Sequence, residues 1–141
     1  MITGQAELSE IQSDWAGVIA MRKRFQLLVT ATFAQGAFTA PALAGVVYNL
    51  PLLHAFGVLN QTLVALRDEG RFSCSTTHLG PLMDSAKTAL PWLDWQGLRD
   101  GVRLRNEIAH EGALLSAPVC TQHIDLIAQQ LRAWNIIGDV V

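Results

Sequence analysis

From Ala42 to Asp68 the apolar residues Leu43, Val46, Val47, Leu50, Leu53, Phe56, Leu59, Leu63 and Leu66 recur at helical spacing, and together they cover nearly the whole circumference of the helix. A helix apolar on nearly all sides cannot lie on a surface, so it must be buried by the core on one side and, as the simplest account of the rest, by a second subunit. Composition points the same way. Half of the 141 residues are hydrophobic and only 16% are charged, which leaves apolar surface to cover and predicts a homo-oligomer, a homodimer in the simplest case. The stretch is not a membrane span, because Gln35, Asn49, His54 and several Gly and Pro residues interrupt it. Pro51 is expected to kink the helix.

A second apolar stretch needs separating from this one. The run from Met21, MRKRFQLLVTATFAQGAFTAPALAG, has the basic start, apolar middle and small residues of a secretory signal. However, Leu8, Ile11, Trp15, Val18, Phe25 and Val29 form one amphipathic stripe that passes straight through Met21. A cleaved leader has no reason to share register with upstream residues, so the stretch reads as one helix from about Ala6 to about Gln35, ended by Gly36 and Pro41. Cys74 and Cys120 are too few for a disulfide framework and have no paired metal-ligand spacing, which fits a reducing cytoplasm.

Downstream, Gly70 to Thr77 reads as a loop, Leu79 to Leu90 as a short helix closed by Pro91, and Trp95 to Glu111 as a longer helix stopped by Gly112. Ser116 and Pro118 open a last helix with Cys120, Ile124, Ile127, Leu131 and Trp134 facing inward. No strand pattern and no repeat competes. The expected fold is all-α: a single domain over residues 1–141, built as an up-and-down four-helix bundle with one additional short helix.

The helix from Trp95 to Glu111 carries the chemistry. Its projection gathers Arg99, Arg103, Asn106 and His110 in one polar stripe, with Asp100 and Glu107 beside it. Trp95, Leu98, Val102, Leu104, Ile108 and Ala109 form an apolar arc that is expected to pack inward, and Arg105 falls inside that arc. A guanidinium there cannot shed its charge, so it must find a carboxylate or carbonyl, reach along the surface or enter a subunit interface. With a formal net charge of −2 the chain as a whole does not gather polyanions, so any contact with nucleic acid must be local to such a stripe.

Arg105-Asn106-Glu107-Ile108-Ala109-His110, on the third main helix of a small bundle, resembles the R-N-x-x-x-H signature of the HEPN family of all-α domains. The resemblance extends over helix order, the loop and short helix ahead of the motif, and chain length. It implies a metal-independent endoribonuclease of toxin or phage-defence type, needing no cofactor, that works as a homodimer with a composite site. Arg105, Asn106 and His110 would be catalytic, and Arg103 and Arg99 would bind RNA. The family also implies an alternative, a non-catalytic binding or regulatory module, and for either an antitoxin or regulatory protein as partner. Helical geometry prefers Arg103, two turns before His110, as the phosphate ligand, whereas the adjacent Asn106 prefers Arg105.

Other residues read more plainly. His54 has the setting of a satisfied core histidine, and His123 lies beside the inward stripe of the last helix. Cys74, His78, His110, Cys120 and His123 could meet around a metal only through folding, and no metal is expected. Arg22-Lys23-Arg24 is a solvated basic run except for Arg22, which the stripe points inward, where an acid must answer it. Trp15, Trp92, Trp95 and Trp134 lack an accompanying basic patch and read as core or interface.

Overall fold

The computed structural model describes the backbone of residues 1–34 and 40–138, and the side chains of residues 1–27 and 48–138. The chain forms five helices, α1 (Gln5–Ala34), α2 (Ala40–Asp68), α3 (Leu79–Ala86), α4 (Trp95–Glu111) and α5 (Ala117–Ala133), with no strand among the described residues. The expected end of the first helix at Gln35 and Gly36 and the side chains of Val29, Leu43, Val46 and Val47 lie outside the described residues.

α1 runs unbroken through Met21, as its stripe requires: Ile11, Trp15 and Val18 are buried, and Leu8 and Phe25 half-buried. Its start is fixed by the Glu69 carboxylate at the far end of α2, which accepts the Thr3 N–H (2.7 Å), the Thr3 hydroxyl (2.7 Å) and the Gly4 N–H (3.4 Å). These donors hold the Glu69 carboxyl below the usual carboxylate range. No helix among the described residues is long and apolar enough to cross a membrane.

α2 is the central element, packed by α1, α3, α4 and α5. Its Leu52, Phe56, Leu59, Leu63 and Leu66 are completely buried, with Pro51 inside the helix. The other helices of the chain thus bury much of the described part of α2. Leu53 is half-buried, and Leu50 stays 45% exposed. Polar contacts give the relative directions. Thr3 meets Glu69, Gln12 donates to the Ile136 carbonyl, and Asn49 meets the segments that end α4 and begin α5. Successive long helices therefore alternate in direction.

The short helix differs from expectation at its end. α3 stops at Ala86, and Lys87 to Leu90 continue as turns. Pro91 disfavours helical backbone at Leu90, and the indole of Trp92 donates to the Ala86 carbonyl at 3.0 Å. All four tryptophans are buried or half-buried, and Trp92 meets Trp134 edge to face at 4.8 Å.

Candidate functional site at the end of the motif helix

α4 begins where the Asp94 side chain accepts the Gly97 N–H at 2.9 Å, a cap that stabilises the helix by about 1 kcal/mol. It ends at Gly112, whose φ of 66° lies in the left-handed region and whose N–H reaches the carbonyls of Glu107 and Ile108. In its first half α4 presses closely on the bundle. Gly101 is buried, and a Cβ at that position would lie 2.7 Å from Phe56 Cζ and 2.9 Å from His123 Nδ1, so only glycine permits this approach.

The second half behaves differently from the sequence expectation. Of the apolar arc, Leu98 and Val102 are buried, but Trp95, Leu104 and Ile108 are only half-buried and Ala109 is exposed. None of residues 103–111 is buried. Leu98 and Val102 enter the core and Ile108 packs against it in part, while Leu104 stays partly uncovered and Ala109 faces solvent.

The polar stripe occupies that exposed half. Arg103, Asn106 and His110 are exposed, and Arg105 is half-buried. Arg105 Nη1 donates to Asn106 Oδ1 at 3.0 Å, so the odd cation of the apolar arc finds an amide carbonyl by reaching along the surface. Among the described residues Arg103 and His110 make no side-chain hydrogen bond. Arg99 stands apart from the others. Its Nε and Nη2 donate to the two carboxylate oxygens of Asp84 at 3.0 and 3.4 Å, which ties α4 to α3 and commits its charge there.

Two buried amides, neither named by the sequence reading as a positioning group, hold the segments on either side of α4. Gln130 of α5 accepts the Leu93 N–H at 2.9 Å and donates to the Pro91 carbonyl at 3.2 Å. Asn49 of α2 donates to the Ala113 carbonyl at 2.8 Å and accepts the Leu115 N–H at 3.2 Å, directly after the motif. Their signal was present in the sequence as a lone amide on an otherwise apolar face: Gln130 is one turn from both Ile127 and Trp134, and Asn49 was read only as an interruption of the apolar stretch.

The remaining histidines and cysteines do not join the stripe. His123 is buried, not merely adjacent to the inward face, and burial pushes its imidazole below the ordinary histidine range against a smaller opposing effect from Asp100. His54 is half-buried and its Nδ1 is buried without a partner, so it is not the satisfied core histidine that the pattern suggests. The Cys120 thiol is buried and pushed up to about 11 by desolvation, which makes it a weak nucleophile. No group of three or more His, Cys, Asp or Glu among the described residues is placed to hold a metal ion. Arg22 finds the acid that its inward position demands, pairing with Asp125 at 3.2 Å.

Compared with family models, with curated proteins and with solved structures, the chain gives no match.

Proposed function

We propose that the chain is a HEPN-like, metal-independent endoribonuclease of toxin or phage-defence type, a cytoplasmic homodimer whose composite site is built from two copies of the α4 stripe. The observation that carries this reading is the solvent-exposed set of Arg103, Asn106 and His110 with half-buried Arg105 on the last turns of α4. The set stands on a helix whose flanking segments are clasped by Gln130 and Asn49. The five-helix bundle with alternating long helices supports the same reading.

The chemistry follows from what metal-free RNA cleavage requires. A base removes the 2′-hydroxyl proton, the 2′-oxygen attacks phosphorus, and an acid protonates the departing 5′-oxygen, leaving a cyclic phosphate. One imidazole cannot serve both steps at once, and two copies of His110 related by a two-fold axis can. Arg103 or Arg105 offers the guanidinium fork that matches phosphate oxygens and neutralises charge developing on them. Asn106 has an amide N–H₂ left for the substrate while its carbonyl receives Arg105. Partly uncovered apolar residues at this end, Leu104 and Ile108 on α4 with Leu50 and Leu114 beside the Asn49 clasp, provide a surface for the second copy.

The test is cleavage of single-stranded RNA by the purified chain in the presence of a chelator, with products carrying cyclic phosphate ends. His110→Ala is expected to abolish cutting and to leave helicity, dimer mass and thermal midpoint unchanged, since an exposed side chain without intrachain hydrogen bonds contributes within about 0.5 kcal/mol to stability. Cutting by His110→Ala at the parent rate rejects the assignment.

One observation favours a second reading, a non-catalytic binding or regulatory module of the same fold. Nothing among the described residues hydrogen-bonds His110, whereas a catalytic imidazole needs an orienting group. That module cuts no RNA at any pH, and a specific protein partner, such as an antitoxin or regulatory protein, binds it through the α4 stripe.

A further inference from the structure

α1 and α5 each pack on α2, and among the described residues their backbones stand apart from one another, with no Cα of one within 8 Å of the other. Two polar cross-links span the gap between them. At one end Gln12 Nε2 donates to the Ile136 carbonyl at 2.9 Å, and about three turns further along α1 Arg22 pairs with Asp125 at 3.2 Å. Between the cross-links lies an open groove of about 570 Å³. Its length along α1 is roughly 15 Å, from the rise of a helix over that interval. A partner helix laid in the gap would run into the cross-links at both ends, whereas the volume suits a small molecule.

The lining states what kind of molecule. Trp15, Ile19, Ile124 and Ala128 supply apolar walls. Of the charged residues in the groove, Arg22 and Asp125 satisfy each other, and Lys23 and Arg132 have no acidic partner among the described residues. Arg132 Nε is in addition buried with no acceptor. A buried guanidinium N–H without a partner costs free energy until an acceptor arrives, and a negatively charged acceptor recovers most.

We propose that this groove binds a small amphiphilic carboxylate, with the acid group held by Arg132 and the apolar body lying along Trp15, Ile19, Ile124 and Ala128. This face is distinct from the α4 stripe, so the proposal stands or fails independently of ribonuclease activity.

Titration calorimetry of the full chain with decanoate, decanol and acetate separates the contributions of head and body. Decanoate is expected to bind at one site, and decanol and acetate at least about tenfold more weakly, because each lacks one of the two complementary parts. Arg132→Gln is expected to weaken decanoate about tenfold and to leave decanol unchanged. Ala16 is exposed and lines the groove, so Ala16→Trp fills it from a position that tolerates a large side chain; decanoate binding should disappear while the helical circular dichroism signal persists. No decanoate binding, equal affinity for decanoate and decanol, equal affinity for decanoate and acetate, parent affinity in a folded Arg132→Gln, or retained binding in a folded Ala16→Trp would each overturn the proposal.

Discussion

α2 and α4 both cross the bundle, and Asn49 of α2 lies at the same end as the polar stripe of α4, yet the two helices treat their sides in opposite ways. α2 is packed by all four other helices, and its Leu52, Phe56, Leu59, Leu63 and Leu66 are completely buried. α4 buries Leu98, Gly101 and Val102 and then exposes nine residues in whole or part. α2 therefore carries stability and α4 carries freedom. Side chains that α2 cannot change without opening the core stand beside side chains on α4 that packing does not dictate, and it is on the second kind of surface that a chain can place Arg103, Asn106 and His110 at no cost to its fold.

The largest effect should come from the point where Phe56 of α2 meets Gly101 of α4. Phe56 is completely buried on α2, and its ring occupies the space that a side chain on Gly101 of α4 would need. Phe56→Ala is expected to lower stability by about 3–5 kcal/mol, through lost burial and a cavity that neighbouring helices refill only in part. Urea unfolding with an unchanged slope measures it. A loss similar to that of His110→Ala would erase the distinction between the two helices.

Asn49→Ala probes the second link between them. The substitution leaves the Ala113 carbonyl and the Leu115 N–H without their partner, at a cost of about 1–3 kcal/mol. It should also act locally. Amides of the segment that follows His110 are expected to exchange with solvent faster, while those of α2 around Leu59 keep the exchange rate that global stability sets. If any RNA cleavage is present, it should fall more than the stability loss explains, since the clasp fixes where the end of α4 points.

Most of this contrast is visible in the residues. The stripe through Met21, the apolar circumference of α2, the Gly112 stop and the Ser116 start are local patterns, and each follows from helical periodicity or capping chemistry that needs no knowledge of neighbours. Asn49 and Gln130 stand out as lone amides on apolar faces, but what a buried amide holds depends on which orphaned backbone groups tertiary packing brings to it. The partial exposure of α4 after Val102 depends on tertiary packing in the same way. Leu104 and Ile108 have the spacing of core residues, and spacing alone does not tell how fully neighbouring helices cover them. Arg99 belonged to the stripe by projection, and only the arrival of Asp84 from α3 shows its charge to be committed.

The smallest predicted effect concerns His123, which faces the interior side of the same α4 whose outer side carries His110. Burial lowers its pKa in the folded chain, with Asp100 opposing in part, so the unfolded chain takes up a proton first as the pH falls. The sign follows from that order of protonation. Stability linked to His123 is present above the ordinary histidine value of 6.5 and is lost as the pH falls below it towards the lower folded value. His123→Gln, which keeps a polar side chain but cannot titrate, should therefore flatten the fall in thermal midpoint between about pH 7 and pH 5, the range in which an ordinary histidine changes charge. His110→Ala serves as the control, because His110 is exposed on the outer side of α4 where His123 is buried on the inner side. Equal flattening in both variants would show that the inner and outer sides of α4 are alike in their coupling to the fold, and a steeper fall in His123→Gln would reverse the sign of the burial effect.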